Sequence, residues 1–284
     1  MSINRAALAV GAALFLSTSL AACSDDGGYG EVAGDCKPRH SFQTLTKGTL
    51  TVSTYTYAPA TIVKDGKLEG VEGGLLERIA EWECLKLRIV EQAPAGVIPA
   101  VESGRADLAA GSWYRTKKRA AVLNLTDPIY TDSMVFVSKG GAVKTVDDLR
   151  AKKVGTFEGN LWNEDLRALL GDRLKIYAGE AETFQDLRAG RIDVAVDGAG
   201  GSINMVKVQR LSDYQIQTPP PHPAVKATSN PGQIGWPNTR SNTALDQALN
   251  EDIAQLRSSG EVARLLKENG YPDSAAKVGA PSLL

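Results

Sequence analysis

Ser103-Gly104-Arg105-Ala106-Asp107-Leu108-Ala109 and, further along, Ala189-Gly190-Arg191-Ile192-Asp193-Val194-Ala195 share one pattern. Each closes a helix-like stretch with glycine, continues with arginine, any residue and aspartate, and enters a short apolar run. Glycine just past a periodic stretch marks a helix end, because without a Cβ it enters the left-handed region freely. A brief apolar run after it reads as a buried strand. Two such junctions in corresponding places favour two similar α/β lobes, although helix–Gly–strand junctions are common in α/β proteins generally.

The surrounding sequence fits that frame. Leu50 and Val52 open a strand, and residues 70–83 carry Leu75, Leu76 and Ile79 on one helical face. Leu85, Leu87 and Ile89 alternate with Lys86 and Arg88, the period of a half-buried strand. Val97, Ile98 and Val101 mark the helix that Gly104 closes, and 106–110 is a short buried strand. In the second half Thr145-Val146-Asp147-Asp148 offers a capping start, 153–156 begins a strand, and 183–189 is a helix closed by Gly190. Residues 192–196 form the next strand. Thr218-Pro219-Pro220-Pro221-His222-Pro223 is excluded from regular structure, and is a connecting loop on the second lobe or a lead-in to a strand around Ile234. Leu245, Leu249, Ile253 and Leu256 lie on one helical face, and Val262, Leu265 and Leu266 continue it until Gly270-Tyr271-Pro272. Strands alternating with helices predict an α/β fold with mostly parallel sheets.

Composition excludes several classes. The 284 residues carry 32 Lys and Arg against 33 Asp and Glu, a net charge of −1 with no electrostatic footprint for nucleic acid. With 43% hydrophobic and 23% charged residues, general disorder is excluded. Two histidines, His40 and His222, and three cysteines leave little material for a metal centre, and no metal or cofactor is expected. Arg5 is the only charge before Ser24, and an apolar run and small residues follow it, so 1–22 reads as a signal peptide. Leu20-Ala21-Ala22-Cys23 resembles the bacterial lipobox, which implies lipidation of Cys23. Each buried CH₂ of such an anchor contributes about 0.8 kcal/mol. Residues 24–30 are polar and glycine-rich, a tether. Outside the cytoplasm Cys36 and Cys84 are expected to form a disulfide, the alternative being two buried thiols.

The ordered set of motifs resembles the extracytoplasmic solute-binding proteins of polar amino-acid importers, the family-3 binding proteins of ABC transporters. The resemblance runs from about Gly48 to Tyr271. It rests on the opening strand, Tyr57-Ala58-Pro59, Gly70-Val71-Glu72 and the junction at 104–107. It continues through Ser112-Trp113-Tyr114-Arg115-Thr116-Lys117-Lys118-Arg119, then Leu125-Thr126-Asp127-Pro128-Ile129-Tyr130, residues 145–149, and Val154-Gly155-Thr156-Phe157-Glu158-Gly159-Asn160. The family implies a two-lobed periplasmic-binding-protein fold of type II, with two hinge crossovers and a ligand clamped between the lobes. The expected organisation is a signal peptide (1–22), a tether and arm (23–43), lobe 1 (44–134), lobe 2 (135–227) and a return to lobe 1 (228–284).

The resemblance also names site residues. Arg119 matches the family's carboxylate-binding arginine, and guanidinium has the planar, permanently charged geometry for that task. The alternative is a solvated arginine in a basic run. Ser112 and Tyr114 fall where the family places further donors to the carboxylate, with Thr or Ser usual in the latter place. Tyr55, Tyr57, Trp113 and Trp162 are candidates for an aromatic wall. Val71 occupies a position where the family often stacks an aromatic ring, which leaves Trp113 or Phe157 to compensate. Phe157 and Asn160 lie in the second-lobe loop, Asn160 as a direct contact or as a loop cap. Asp197 comes one place before the family's ammonium-binding carboxylate, and Gly198 stands in that place. Strand alternation turns Asp197 to the other face unless the backbone bulges. Glu72 and Glu158 are the alternatives for its role.

The function implied is a lipid-anchored, monomeric receptor that captures a small polar carboxylate ligand, an amino acid, and delivers it to an ABC permease. An enzyme on the same fold, a cyclohexadienyl-dehydratase-like protein, would need a general acid beside Arg119, for which Glu72 or Glu158 is available. No catalytic motif accompanies them, and the chain is expected not to be an enzyme. A sensor domain would continue into a spanning helix after Tyr271.

Overall fold

The computed structural model describes residues 27–158 and 160–284, so Cys23 and the signal segment lie outside the described residues. The first half contains β1 (Thr49–Thr54), the hairpin β2 (Ile62–Lys64) and β3 (Lys67–Glu69), α1 (Gly70–Trp82), β4 (Lys86–Glu91), α2 (Pro94–Glu102) and β5 (Leu108–Ala109). The short α3 (Lys117–Ala120), β6 (Asn124–Leu125) and β7 (Tyr130–Asp132) follow. Next come β8 (Met134–Lys139), β9 (Val154–Phe157), α4 (Asn163–Leu170), β10 (Leu174–Tyr177), α5 (Glu180–Arg188), β11 (Val194–Gly198), α6 (Ala199–Val208) and β12 (Tyr214–Gln217). The chain ends with β13 (Gly232–Ile234), β14 (Pro237–Asn238), α7 (Thr243–Ser258) and α8 (Glu261–Glu268).

Two five-stranded sheets organise the fold, in the orders β4-β1-β5-β14-β6 and β10-β9-β11-β8-β12. In each, three strands run parallel and the strands from β14 and β8 outward pair antiparallel, so the sheets are mixed. The first sheet draws on both ends of the chain, which therefore passes between the lobes twice. Both passages are strands, β7 and β13, paired antiparallel with Tyr130 opposite Ile234 and Asp132 opposite Gly232.

β1 is buried along its whole length because β4 and β5 flank it and helices cover its faces. The apolar stripe of α7 (Leu245, Leu249, Ile253, Leu256) and that of α8 (Val262, Leu265, Leu266) join Leu75, Leu76 and Ile79 of α1 in one core. The second lobe has two cores, one around Phe136, Trp162 and Leu166 and one around Phe184 and Leu187. The capping start at 145–148 is used by a 3₁₀ turn, Asp147–Ala151. There the Asp148 carboxylate accepts from the amides of Lys144 and Thr145.

The twin junctions are built alike. Gly104 and Gly190 have φ of +68° and +69°. Arg105 N donates to Ala100 O and Arg191 N to Asp186 O, closing each helix. The aspartates then lock parallel neighbours. Asp107 accepts from Thr51 N at 2.8 Å and Leu45 N at 2.9 Å, while Asp193 accepts from Lys153 N at 2.7 Å. Their own amides donate back to Thr51 O and Lys153 O.

The expected disulfide is present: Cys36 is bonded to Cys84, with Cα atoms 5.8 Å apart, and ties the N-terminal arm to the end of α1. His40 reinforces it, with Nδ1 2.7 Å from Glu83 and Nε2 3.0 Å from Glu251. Among the described residues no helix is long and apolar enough to cross a membrane.

Candidate functional site

The loop after β5 is shaped from beneath. Gly111 has φ +136°, and a Cβ there would stand 2.6 Å from the Tyr55 ring, so only glycine fits. Ser112 is also left-handed, at φ +56°, which is strained for a residue with a side chain. Glu72 of α1, 0% exposed, holds this turn. One carboxylate oxygen accepts from Ser112 N (2.7 Å) and Tyr130 OH (2.9 Å), the other from Gly111 N (3.0 Å) and Trp236 Nε1 (2.9 Å). Burial pushes its pKa up and the four donors oppose that. Glu72, an alternative to Asp197 for the ammonium-binding role, is thus already engaged. Protein donors take both its oxygens, and it acts through the turn it supports.

The basic run splits between two roles. Arg115 is buried and structural, giving Nε to Thr126 O (2.9 Å) and a terminal nitrogen to Ser282 O (2.8 Å). Lys117 and Lys118 are exposed. Thr116 caps α3 by accepting from Arg119 N, and the Arg119 side chain folds back over the loop. Its guanidinium lies 4.8 Å from the Trp113 ring centre and donates to Tyr114 O at 2.5 Å. Among the described residues no carboxylate comes within the 4.0 Å of a salt bridge to it. Burial lowers its pKa, with the hydroxyls of Tyr55 and Tyr114 opposing. A half-buried guanidinium without a counter-charge has the chemistry to receive an anion.

Aromatic rings line the same region. Tyr55 is 5.7 Å from Trp113 and 6.0 Å from Tyr57, centre to centre. The Tyr57 hydroxyl reaches the second lobe, 3.5 Å from where a Cβ on residue 198 would lie. Tyr114 rests its ring against Gly232 of β13. Trp162 does not join this wall. It is 2% exposed in the second lobe's core, where Nε1 donates to Thr156 Oγ1 at 3.0 Å, because it opens α4 with its ring under the sheet. Phe157 packs partly on the Phe184 core, and Asn160 donates to the same Thr156 hydroxyl at 3.1 Å, so its amide closes the loop.

Asp197 shows what strand alternation does. It is 1% exposed, accepts from Gly198 N at 2.7 Å and lies against Glu180, the first residue of α5. The space over Gly198 is filled instead from the crossover: Asp132 Oδ2 lies 2.7 Å from the position of a Cβ there. The other Asp132 oxygen accepts from Gly200 N at 3.2 Å, at the start of α6. Burial raises Asp132 to about 6, against the pull of the amides of Gly200 and Ala199. Asp197 is pushed well above its usual value by burial and then by Glu180. The Tyr271 hydroxyl lies over Gly200. Sequence patterns singled out none of Asp132, Glu180 and Tyr271 for the site. The available signal was the glycine-rich run Gly198-Ala199-Gly200-Gly201, whose missing side chains make room for their oxygens.

The family model for bacterial extracellular solute-binding proteins, family 3, matches residues 50–270. The histidine-binding periplasmic protein of Escherichia coli K12 is 28% identical over 221 residues, covering 75% of this chain and 84% of its own. The L-cystine-binding protein TcyJ of the same strain is 29% identical over 226 residues, 77% of this chain and 81% of its own. The substrate-binding protein of an ABC uptake transporter from Streptococcus pneumoniae, solved with bound histidine, has the same fold. Its TM-score is 0.64 at 17% identity, covering 81% of this chain and 96% of that one. With a match over most of its length and the two-lobed architecture to go with it, the chain belongs to the bacterial extracellular solute-binding proteins, family 3.

Proposed function

We propose that this protein captures an amino acid between its lobes outside the cytoplasm and delivers it to an ABC import permease. The carrying observation is Arg119, half-buried over Trp113 and unpaired with any described carboxylate. The ligand carboxylate takes that guanidinium, with Ser112 and Tyr114 as neighbouring donors and Tyr55, Tyr57 and Trp113 as the wall. Asn160, Phe157 and Asp197 close over it from the other lobe. The names of the histidine- and L-cystine-binding relatives support an amino-acid ligand, and the pneumococcal protein's title supports the transporter context. Residues 44–134 with 228–284 form one lobe and 135–227 the other, and they close about β7 and β13.

The protein acts as a monomer and returns its ligand unchanged. Glu72, one acid available beside Arg119, is committed to four protein donors, and Glu158 is exposed. Lipid on Cys23 anchors it to the outer face of the cell membrane.

Titration calorimetry with the twenty common L-amino acids and L-cystine tests the binding claim. A micromolar ligand, about −8 kcal/mol, is expected. Arg119→Ala is expected to weaken it at least a hundredfold, and Arg119→Lys to restore only part, since ammonium lacks the bidentate fork. Unchanged affinity in Arg119→Ala refutes the site. Mass spectrometry of the recovered ligand tests for turnover, and release of Cys23→Ser from membranes tests the anchor.

A further inference from the structure

Three carboxylates meet where the two lobes face each other. Asp132 and Asp197 are 2% and 1% exposed, and Glu180 joins them from the start of α5. Gly198, Gly200 and Gly201 form the floor. A Cβ on residue 198 would press on Asp132, one on residue 200 would overlap the Tyr271 hydroxyl, and one on residue 201 would overlap Glu180 Oε1. That last Cβ would also stand 2.9 Å from Asp197 Oδ2, so the two acids converge on one point.

Their hydrogen bonding is incomplete. Glu180 Oε1, Asp197 Oδ2 and the Tyr271 hydroxyl are buried atoms with no partner. Among the described residues no Lys, Arg or His comes within 4.0 Å of any of the three acids. Buried carboxylates without a cation repel one another and pay for lost hydration. Burial pushes both Asp197 and Glu180 above their usual values, and Glu180 pushes Asp197 further. Asp132 has no base beside it, and its neighbours are the hydroxyls of Tyr57 and Tyr114 from the first lobe.

The charges of the region do not balance. Arg119 supplies one positive charge. Against it stand three carboxyl groups, Asp132, Asp197 and Glu180. A zwitterion leaves that difference standing, and an acidic ligand enlarges it. One carboxylate with two cationic groups narrows it. We infer, on the amino-acid-capture function proposed above, that the ligand is an amino acid of net positive charge, with Asp132 receiving its ammonium group and the Asp197–Glu180 pair selecting for the second cation.

L-Arginine and L-citrulline test this directly, since they match in shape and differ by the side-chain charge. Calorimetry at pH 7.5 is expected to give arginine at least a tenfold lower Kd. Glu180→Gln is expected to bring that ratio toward one. Asp132→Asn, whose amide oxygen still serves Gly200 N, is expected to weaken arginine at least tenfold. A second variant separates charge from shape: Asp132→Ala/Gly198→Asp, which returns a carboxylate to the same space from β11, is expected to recover part of that loss. Equal affinities for the two ligands, tighter binding of citrulline, or a panel in which only neutral or acidic amino acids bind overturns the inference and leaves amino-acid capture intact. Silence across the whole panel overturns amino-acid capture itself, and this inference with it.

Discussion

Glu72→Gln changes one atom and little volume, yet it strikes the support of the entire Gly111–Arg119 loop. Each Glu72 oxygen accepts two hydrogen bonds, at 2.7 and 2.9 Å on one side and 3.0 and 2.9 Å on the other. Glutamine keeps one oxygen and turns an NH₂ toward two former donors. Stranding a buried donor costs about 1–3 kcal/mol. The least costly flip aims the NH₂ at Ser112 N and Tyr130 OH, because the hydroxyl can rotate to accept while the amide cannot. That leaves one stranded amide, and the retained bonds lose their charge assistance. The sum is roughly 2–5 kcal/mol. A protein of this size loses about 2–4 °C of Tm per kcal/mol, so the midpoint should fall by roughly 4–20 °C. Thermal unfolding followed by circular dichroism measures it, and calorimetry reads ligand affinity, which falls as Ser112 leaves its strained conformation. A midpoint within about 2 °C of the parent, with affinity unchanged, would refute the assignment of Glu72 as the loop's support.

Other perturbations bear on separate features. Cys36→Ser/Cys84→Ser removes a link across 48 residues; chain entropy alone assigns it about 4 kcal/mol, and denaturant unfolding should show a loss of roughly 2–4 kcal/mol. Asp186 is held far below its ordinary 3.8 by Arg191, Tyr177 and Lys175, so its stabilisation is present above that value and is lost as pH falls through the depressed one. Asp186→Asn should flatten the acid side of the Tm–pH curve. Asp252 behaves oppositely: burial and Glu83 raise it to about 7, so the folded state holds the proton more tightly and stability drops as pH rises from about 4 to 7. Asp252→Asn should raise Tm at pH 8 and leave it unchanged at pH 4. Gly232→Ala drives a methyl into the Tyr114 ring, and overpacking of that kind costs about 1–3 kcal/mol, visible as a lower Tm and weaker ligand binding.

Much of the fold was legible because it depends on local periodicity. The leucines of α7 and the two Gly-Arg-x-Asp junctions announce their elements, since a helix stripe and a left-handed glycine depend on neighbours a few residues away. Arg119 was singled out by its place after Thr116 in the family pattern and not by periodicity, since a basic run by itself reads as a solvated surface. Trp162 and Glu72 were not legible, because which way a side chain faces was decided by contacts distant in sequence. Glu72 meets Trp236 across 164 positions. Asp132 was hidden by topology: nothing in Tyr130-Thr131-Asp132 says that the strand crosses between lobes and delivers its carboxylate over Gly198. The sheets were expected to be mostly parallel. They are mixed because the strands beside each crossover enter from the opposite lobe and run back against the others.

The contact of Tyr114 with Gly232 makes the linkage between lobes a geared one. In the closure proposed above β13 is a pivot, and the tyrosine ring rides directly on its backbone. A small twist of that pivot must swing the ring, and a ring pushed by an occupant must twist the pivot. Angular motion of half the molecule and the fit of a single phenol are thus one mechanical variable, and any residue that thickens the pivot alters both.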